Sequence, residues 1–146
     1  MRLYLSGLLV LVTLVGCGGQ ATSSGGVDEM IGEVVFVNDS GNDLRGIEIR
    51  WAGNSLSMAL VASRLRKEMA FVDLAQIKSG VITYSDREAG ITEGRCSYTL
   101  DPAIKDQRDV RMVRFIYSGD NAWRIELYDS KEVLVKTVEC QLEEPN

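Results

Sequence analysis

Residues 110–128 read VRMVRFIYSGDNAWRIELY, and this stretch decides the fold. Apolar and polar side chains alternate from residue 122 onward, which is the pattern of a strand with one buried and one solvated face. The turn-forming sequence at 118–121 separates this run from the β-branched and aromatic run at 110–117, as in a β-hairpin. The stretch therefore predicts two antiparallel strands joined by a turn. The residues expected on the buried face of the second strand are Trp123, Ile125 and Leu127.

The sequence beyond this hairpin continues the same pattern. Residues 129–132 read DSKE, a second turn, and residues 133–142 form a third strand candidate. One face of this third strand is expected to carry Val138, Cys140 and Leu142. The C-terminal third is therefore predicted to be an antiparallel meander.

Two more strand candidates precede the hairpin. Residues 81–84 read VITY, a β-branched and aromatic run. Further along, Cys96, Tyr98 and Leu100 alternate with polar residues, which places Cys96 on the buried face of its strand. Cys140 is then expected within reach of Cys96, from a neighbouring strand or from the opposite sheet.

The region before residue 52 contains two further runs of strand character. Residues 34–37 read VVFV, and the run at 47–51 alternates apolar with charged side chains. Six turn-forming residues, NDSGND at 38–43, lie between the two runs. This arrangement predicts a second hairpin.

Residues 56–78 are compatible with two structures. Several apolar side chains fall at helical spacing, and the segment is rich in good helix formers. The residues at this spacing are Met58, Val61, Leu65, Met69 and Val72. The pattern favours one helix, and the alternative is two strands, 56–62 and 70–74, joined by a turn at Ser63 and Arg64.

The fold class predicted from these patterns is mainly β. Six to eight short strands with turn signals at fairly regular spacing indicate a small antiparallel β-sandwich, with a small barrel as the alternative. The opening of the domain, residues 35–51, resembles an immunoglobulin-like or transthyretin-like sandwich. A helix at 56–78 would pack on an edge or across an end, and the alternative class is then α+β.

The start of the chain carries a different signal. A short positively charged start is followed by an apolar run at 3–15. This run is shorter than the roughly 20 residues of a membrane-spanning helix, and it fits the apolar region of a signal peptide. The run ends in Leu-Val-Gly-Cys at 14–17. These four residues resemble the lipobox of bacterial lipoproteins. The resemblance implies cleavage before Cys17, a diacylglyceryl group on its sulfur and a fatty acyl chain, such as palmitate, on its amine.

This resemblance sets the predicted domain organisation. Residues 1–16 are the signal peptide, residues 17–30 are the lipidated cysteine and a flexible tether rich in Gly and Ser, and residues 31–146 are a single β-rich domain. The expected location is the bacterial cell envelope, with the protein held to the membrane by its lipid. Because Gly18 rather than Asp follows the cysteine, the analogy with enteric lipoproteins favours the outer membrane, facing the periplasm or the surface.

The remaining cysteines follow from the assignment of Cys17. In an oxidising periplasm, Cys96 and Cys140 are expected to form a disulfide. Two free buried thiols or a metal site are the alternatives. The chain has no histidine and no Cys-x-x-Cys spacing, so a zinc site is not expected.

Composition excludes several classes of function. The net charge is −5 and no basic block occurs, so nucleic acid is not expected as a partner. The lack of histidine excludes Ser-His-Asp and Cys-His catalysis, and no glycine loop of the phosphate-binding type follows a strand. No catalytic residue and no cofactor is therefore expected. Some aromatic side chains must belong to the core, while an exposed subset could form a binding face. The candidates are Tyr84, Tyr98, Tyr117, Trp123 and Tyr128.

The expected function is that of a lipid-anchored envelope protein whose non-catalytic β-domain binds another protein or has a structural role. An inhibitor or sequestering lipoprotein is the alternative, because residues 79–84, SGVITY, are similar to the Ser-Gly-x-x-Tyr loop of the membrane-bound lysozyme inhibitors. The match contains one extra residue and lacks the cysteine upstream of that loop. An enzyme that uses carboxylates alone is a further alternative.

Overall fold

The structure is a computed structural model, and it describes residues 31–100 and 109–143. Within these residues the chain forms ten strands and one short 3-10 helix, η1 (Leu74–Gln76). The strands are β1 (Ile31–Asn38), β2 (Leu44–Trp51), β3 (Asn54–Val61), β4 (Arg66–Asp73), β5 (Ser79–Asp86), β6 (Ile91–Thr99), β7 (Val110–Gly119), β8 (Ala122–Asp129), β9 (Leu134–Glu139) and β10 (Gln141–Leu142).

Two five-stranded sheets pack face to face as a β-sandwich. The first sheet has the order β4-β1-β7-β8-β9 and the second has the order β10-β6-β5-β2-β3. All neighbours are antiparallel except β1 and β7, which are parallel. The predicted two-sheet architecture is thus confirmed.

The helix favoured for residues 56–78 is wrong, and the alternative of two strands is correct. Met58 and Val61 are both buried three residues apart, opposite Ile47 and Leu44 of β2, which are also buried three residues apart. Gly46 lies between the latter two with φ of 56°, a backbone conformation that turns the strand over. Both paired strands therefore change face at this point, and the resulting three-residue spacing imitates a helix.

The predicted hairpin between residues 34–37 and 47–51 is also wrong. Strand β1 lies in the first sheet between β4 and β7, whereas β2 lies in the second sheet. Val34, Val35 and Phe36 are consecutive and all fully buried, so the centre of β1 is covered on both faces. Its two edges are paired with β4 and β7, so no edge of β1 is left for β2.

The C-terminal meander is confirmed over β7, β8 and β9, but the third strand predicted at 133–142 is divided. Strand β9 pairs with β8 in the first sheet, and β10 pairs with β6 in the second. The crossing occurs at Cys140, which forms a disulfide with Cys96 of β6, with the two Cα atoms 5.8 Å apart. The disulfide thus joins the two sheets along one side of the sandwich.

Two cross-strand pairs of glycine and tyrosine shape the inner face of the second sheet. Gly80 lies opposite Tyr98, and Tyr84 lies opposite Gly94. A Cβ atom at Gly94 would lie 2.5 Å from Cζ of Tyr84, and one at Gly80 would lie 2.6 Å from the hydroxyl of Tyr98. Each ring therefore occupies the space that the glycine opposite leaves free, and both strands show this as the spacing Gly-x-x-x-Tyr.

The strands run between two ends of the sandwich, the entry end and the far end. The entry end is where β1 begins, and it also contains the β2–β3 turn, the η1 segment and the β8–β9 turn. The far end contains the connections β1–β2, β3–β4, β5–β6 and β7–β8.

Candidate functional site

The residues predicted from the sequence to form sites lie in different parts of the molecule. Cys17, the predicted lipidation site, lies outside the described residues. Cys96 is fully buried, and its disulfide to Cys140 is structural. These two cysteines are therefore bonded to each other and do not form the metal site that was one of the alternatives. Among residues 31–100 and 109–143, no three Cys, Asp or Glu side chains are grouped so that they could hold a metal ion.

Four of the five aromatic candidates belong to the core. Trp123 contacts the rings of Phe36, Tyr84 and Tyr117, with centroids 5.0 to 5.5 Å apart. Tyr98 packs against another core ring, that of Phe115, at 5.3 Å. Only Tyr128 lies on an outer face, where it is half-buried. These residues therefore do not form an exposed aromatic face.

The far end is closed by a buried amide. The side-chain N–H groups of Asn38 donate to the carbonyl oxygens of Asn42, Val61 and Ala62, at 2.8, 3.1 and 3.1 Å. Its side-chain oxygen accepts from the Ser40 hydroxyl at 2.6 Å and from the Ser40 N–H at 3.2 Å. Asn38 is fully buried, and its amide joins the β1–β2 connection to the end of β3 through these hydrogen bonds.

A buried carboxylate stands beside this amide. Asp86 accepts hydrogen bonds from the Tyr117 hydroxyl at 2.8 Å, the Ala89 N–H at 3.0 Å and the Asn42 amide at 3.1 Å. Burial alone would raise the pKa of Asp86, but these hydrogen bonds outweigh it and hold the pKa below its usual value. Burial also raises the pKa of Tyr117, and its hydrogen bond to Asp86 raises it further. Asp86 is therefore an ionised, structural acceptor.

The entry end has the opposite character. Ile31, Phe71 and the run Val133–Val135 are exposed there, and Phe71, at 78%, is the most exposed large apolar residue in the part of the chain that the structure describes. Leu60, Leu65 and Leu142 are also exposed but lie elsewhere. Exposed apolar side chains that lie together at one place mark an interaction site more often than scattered ones do.

A row of side chains crosses the outer face of the first sheet near the entry end. The strand register places in this row Phe71, Glu33, Met112, Tyr128 and Leu134, one from each strand. Because neighbouring strands are about 4.8 Å apart, the row is roughly 19 Å long.

The next row holds a charged network. The Arg114 guanidinium lies 4.0 Å above the ring of Tyr128, whose hydroxyl donates to Glu126 at 2.5 Å. Arg124 also binds Glu126, at 2.9 Å. Burial alone would raise the pKa of Glu126, but its bonds to Tyr128 and Arg124 hold it below the usual value. The network fixes the middle of the outer face in one arrangement.

A shallow groove lies on the outer face of the second sheet, also toward the entry end. It encloses about 360 Å³ between the β2–β3 hairpin and the start of β5. Arg50 and Glu48 form an ion pair at 2.6 Å on its wall. The hydroxyl of Tyr98, beneath Gly80, has no hydrogen-bond partner among the described residues.

The edge strands differ in how they are protected. Lys67 of β4 is paired with the buried Phe36, and Lys136 of β9 with the buried Leu127, so each edge carries a lysine on its inner side. Both edges also have a register irregularity. Such features prevent an edge from pairing with another chain. Strand β3 has neither, since its eight residues, NSLSMALV, are uncharged and pair with β2 in one continuous register.

The segment that resembles the lysozyme-inhibitor loop has a different structure here. Residues 79–86 form β5, which lies between β2 and β6 in the second sheet. Tyr84 is buried in the core. The likeness therefore concerns sequence alone and gives no exposed loop.

Comparison with protein-family models, with curated proteins and with solved structures finds no match to this chain. No helix in the described part of the chain is long and apolar enough to cross a membrane.

The sequence did not predict the exposed apolar side chains of the entry end or the free edge of β3. Phe71 lies within the segment favoured as a helix, and the helical pattern gave no indication that its side chain is exposed. The free edge of β3 lay in the same segment. The local signal that could have revealed β3 is the absence of charge over residues 54–61, which is unusual for an exposed segment.

Proposed function

We propose that this chain is a lipid-anchored protein of the bacterial cell envelope whose β-sandwich binds an extended segment of another envelope protein without catalysis. The observation that carries the binding role is the free edge of β3, whose eight residues are uncharged. The edges of the other sheet, β4 and β9, each carry a lysine on the inner side. An unpaired strand edge presents a row of N–H and C=O groups, and a partner strand can add to it by main-chain hydrogen bonds.

The anchor is supported by the sequence Leu-Val-Gly-Cys at 14–17 after an apolar run of signal-peptide length. A single fatty chain binds a membrane only marginally, whereas two or more chains give stable attachment. Lipidation at both the sulfur and the amine of Cys17 would supply them. Gly18 favours delivery to the outer membrane.

The strand-addition site is tested by crosslinking in the cell. A photoreactive residue at Ser57, exposed on β3, should crosslink to one other envelope protein. The matched control is the same residue at Thr137, exposed on β9; each position lies opposite a glutamate, Glu48 and Glu126 respectively. Ser57→Lys should weaken capture of the same partner by a purified protein, and Thr137→Lys should not. No crosslink from position 57, or equal crosslinks from both positions, contradicts the proposal.

The anchor is tested separately by mass spectrometry of the mature N terminus and by membrane fractionation. The parent should carry a diacylglyceryl-modified Cys17, and the Cys17→Ser variant should lose it. A variant that still partitions with membranes as the parent does would show that the lipid is not the anchor.

A further inference from the structure

The entry end is the end of the sandwich that follows the proposed anchor in the sequence. Strand β1 begins at Ile31, at the entry end, and Cys17 lies 14 positions earlier in the sequence. A flexible Gly- and Ser-rich chain of this length has an end-to-end distance of about 20 Å. If Cys17 is lipidated, the entry end is the part of the sandwich that the tether keeps nearest to the bilayer.

The exposed apolar side chains lie at this same end. Phe71 is 78% exposed, Val133 56%, and Ile31 and Leu134 each 49%. Phe71 and Leu134 stand at opposite edges of the first sheet, about 19 Å apart in one row, so the apolar residues span its full width. Aromatic and aliphatic side chains at such positions favour the boundary between headgroups and acyl chains.

Charge argues against electrostatic attraction as the cause of binding there. Acidic side chains at the entry end include Glu33, Asp73 and Asp129, and basic ones include Lys78 and Lys131. The chain as a whole carries a net charge of −5. Signs so mixed give little attraction to anionic lipids, which requires clustered Lys and Arg. Contact with a bilayer would therefore depend on the apolar side chains and not on the lipid charge.

We infer that Ile31, Phe71 and Val133–Val135 form a membrane-contact surface that seats the entry end on the lipid bilayer. The inference rests on the proposed lipid anchor, because the tether is what brings this end to the membrane. The far end, with the connections around Asn38 and Asp86, then points away from the bilayer. The free edge of β3 runs between the two ends and stays accessible to a partner.

The test uses the full chain, expressed with its leader and purified as the mature protein. Two variants that each add one tryptophan are compared, Phe71→Trp at the entry end and Leu65→Trp in the β3–β4 turn at the far end, where Leu65 is 44% exposed. The proteins are reconstituted into phosphatidylcholine vesicles with brominated acyl chains, which quench tryptophan at the depth of the bromine. The parent, with Trp51 and Trp123, gives the background signal.

Phe71→Trp should be quenched several-fold more than Leu65→Trp, and its emission should shift to the blue on reconstitution. Adding anionic lipid or salt should leave the difference unchanged.

Three outcomes would overturn the inference. If both reporters are equally unquenched while the protein floats with the vesicles, the anchor holds but the entry end does not touch the bilayer. A blue shift at Phe71→Trp without quenching, together with crosslinks between proteins, shows that a second copy or a partner covers the surface instead. A protein that does not float at all shows that the lipid anchor itself has failed, and with it the premise of the inference.

Discussion

At the far end of the sandwich the chain turns through buried amide, hydroxyl and carboxyl groups, whereas at the entry end it turns past exposed apolar side chains. Asn38 and Asp86 are both fully buried and bind groups from the β1–β2, β3–β4 and β5–β6 connections and from strand β7. Phe71 and Leu134 contact mainly solvent. Each end thus has side chains that are unusual for their position, but only those of the far end find their partners within the molecule.

This difference separates residues that serve the fold from residues that serve contacts outside it. Buried polar groups are costly unless they are paired, so their removal should destabilise the protein. Exposed apolar groups bury little area on folding, so their removal should leave stability almost unchanged. Measurements of the unfolding free energy should therefore distinguish the two ends.

The largest effect is expected from the disulfide, which lies between the two ends. The double variant Cys96→Ala, Cys140→Ala should lose about 4 kcal/mol of unfolding free energy, because its unfolded chain regains the freedom of a loop with a sequence separation of 44. Urea denaturation without reductant measures this loss, and reduction of the parent should reproduce it. Amide exchange should then rise at both ends. A rise at one end alone would show that the disulfide serves only that end.

The second largest loss of unfolding free energy is expected from a substitution at the far end. Asn38→Leu removes one donor from the carbonyl groups of Asn42, Val61 and Ala62 together with the acceptor of the Ser40 hydroxyl, and it should cost about 3 kcal/mol in urea denaturation. The control is Asn54→Leu, at an exposed position of the entry-end turn, which should change stability by less than about 0.5 kcal/mol. Equal costs for the two variants would remove the distinction between the ends.

The sequence predicted those parts of this structure that depend on neighbours along the chain. The hairpin of β7 and β8 is visible because the alternation of Trp123, Ile125 and Leu127 and the turn before it are contiguous. The pairing of Cys96 with Cys140 was predicted from the number of cysteines, from the oxidising compartment and from the local strand patterns that contain them.

The parts that could not be predicted depend on distant segments. The parallel pairing of β1 with β7 joins strands more than seventy positions apart, and no local pattern encodes it. The helical spacing of Met58 and Val61 arises from the backbone of Gly46 in the neighbouring strand. Likewise, the far-end cluster exists only because Asn42 of the β1–β2 connection, Asp86 at the end of β5 and Tyr117 of β7 converge.

A third prediction compares one carboxylate from each end as the pH is lowered. Because hydrogen bonds lower the folded pKa of Asp86, the stability that it contributes is fully present above its unfolded pKa of about 4 and is lost as the pH falls through the folded value. Asp86→Asn should cost about 2 kcal/mol at pH 7, since it removes a charged acceptor from the Tyr117 hydroxyl and the Ala89 N–H. The difference between parent and variant should shrink below pH of about 4.

The control for this pH effect lies in the β8–β9 turn at the entry end. The N–H groups of Val133 and Lys131 lower the pKa of Asp129, which is solvent-accessible. The sign of its pH dependence is therefore the same, but Asp129→Asn should cost much less than Asp86→Asn at pH 7. Urea denaturation at several pH values measures both. A larger loss at Asp129 would mean that the turn at the entry end, and not the polar cluster at the far end, limits stability.

The smallest effect on stability is expected where the exposed apolar area is largest. Phe71→Ser should change the unfolding free energy by less than about 0.5 kcal/mol, because the side chain is already 78% exposed in the folded protein. The matched variant Phe36→Ser changes the same residue type on the neighbouring strand β1, where it is fully buried, and it should be strongly destabilising or prevent folding. If Phe71→Ser also destabilised the domain by several kcal/mol, Phe71 would be supporting the fold. The entry end would then be built on the same principle as the far end, and its exposed side chains would no longer argue for a contact with the bilayer.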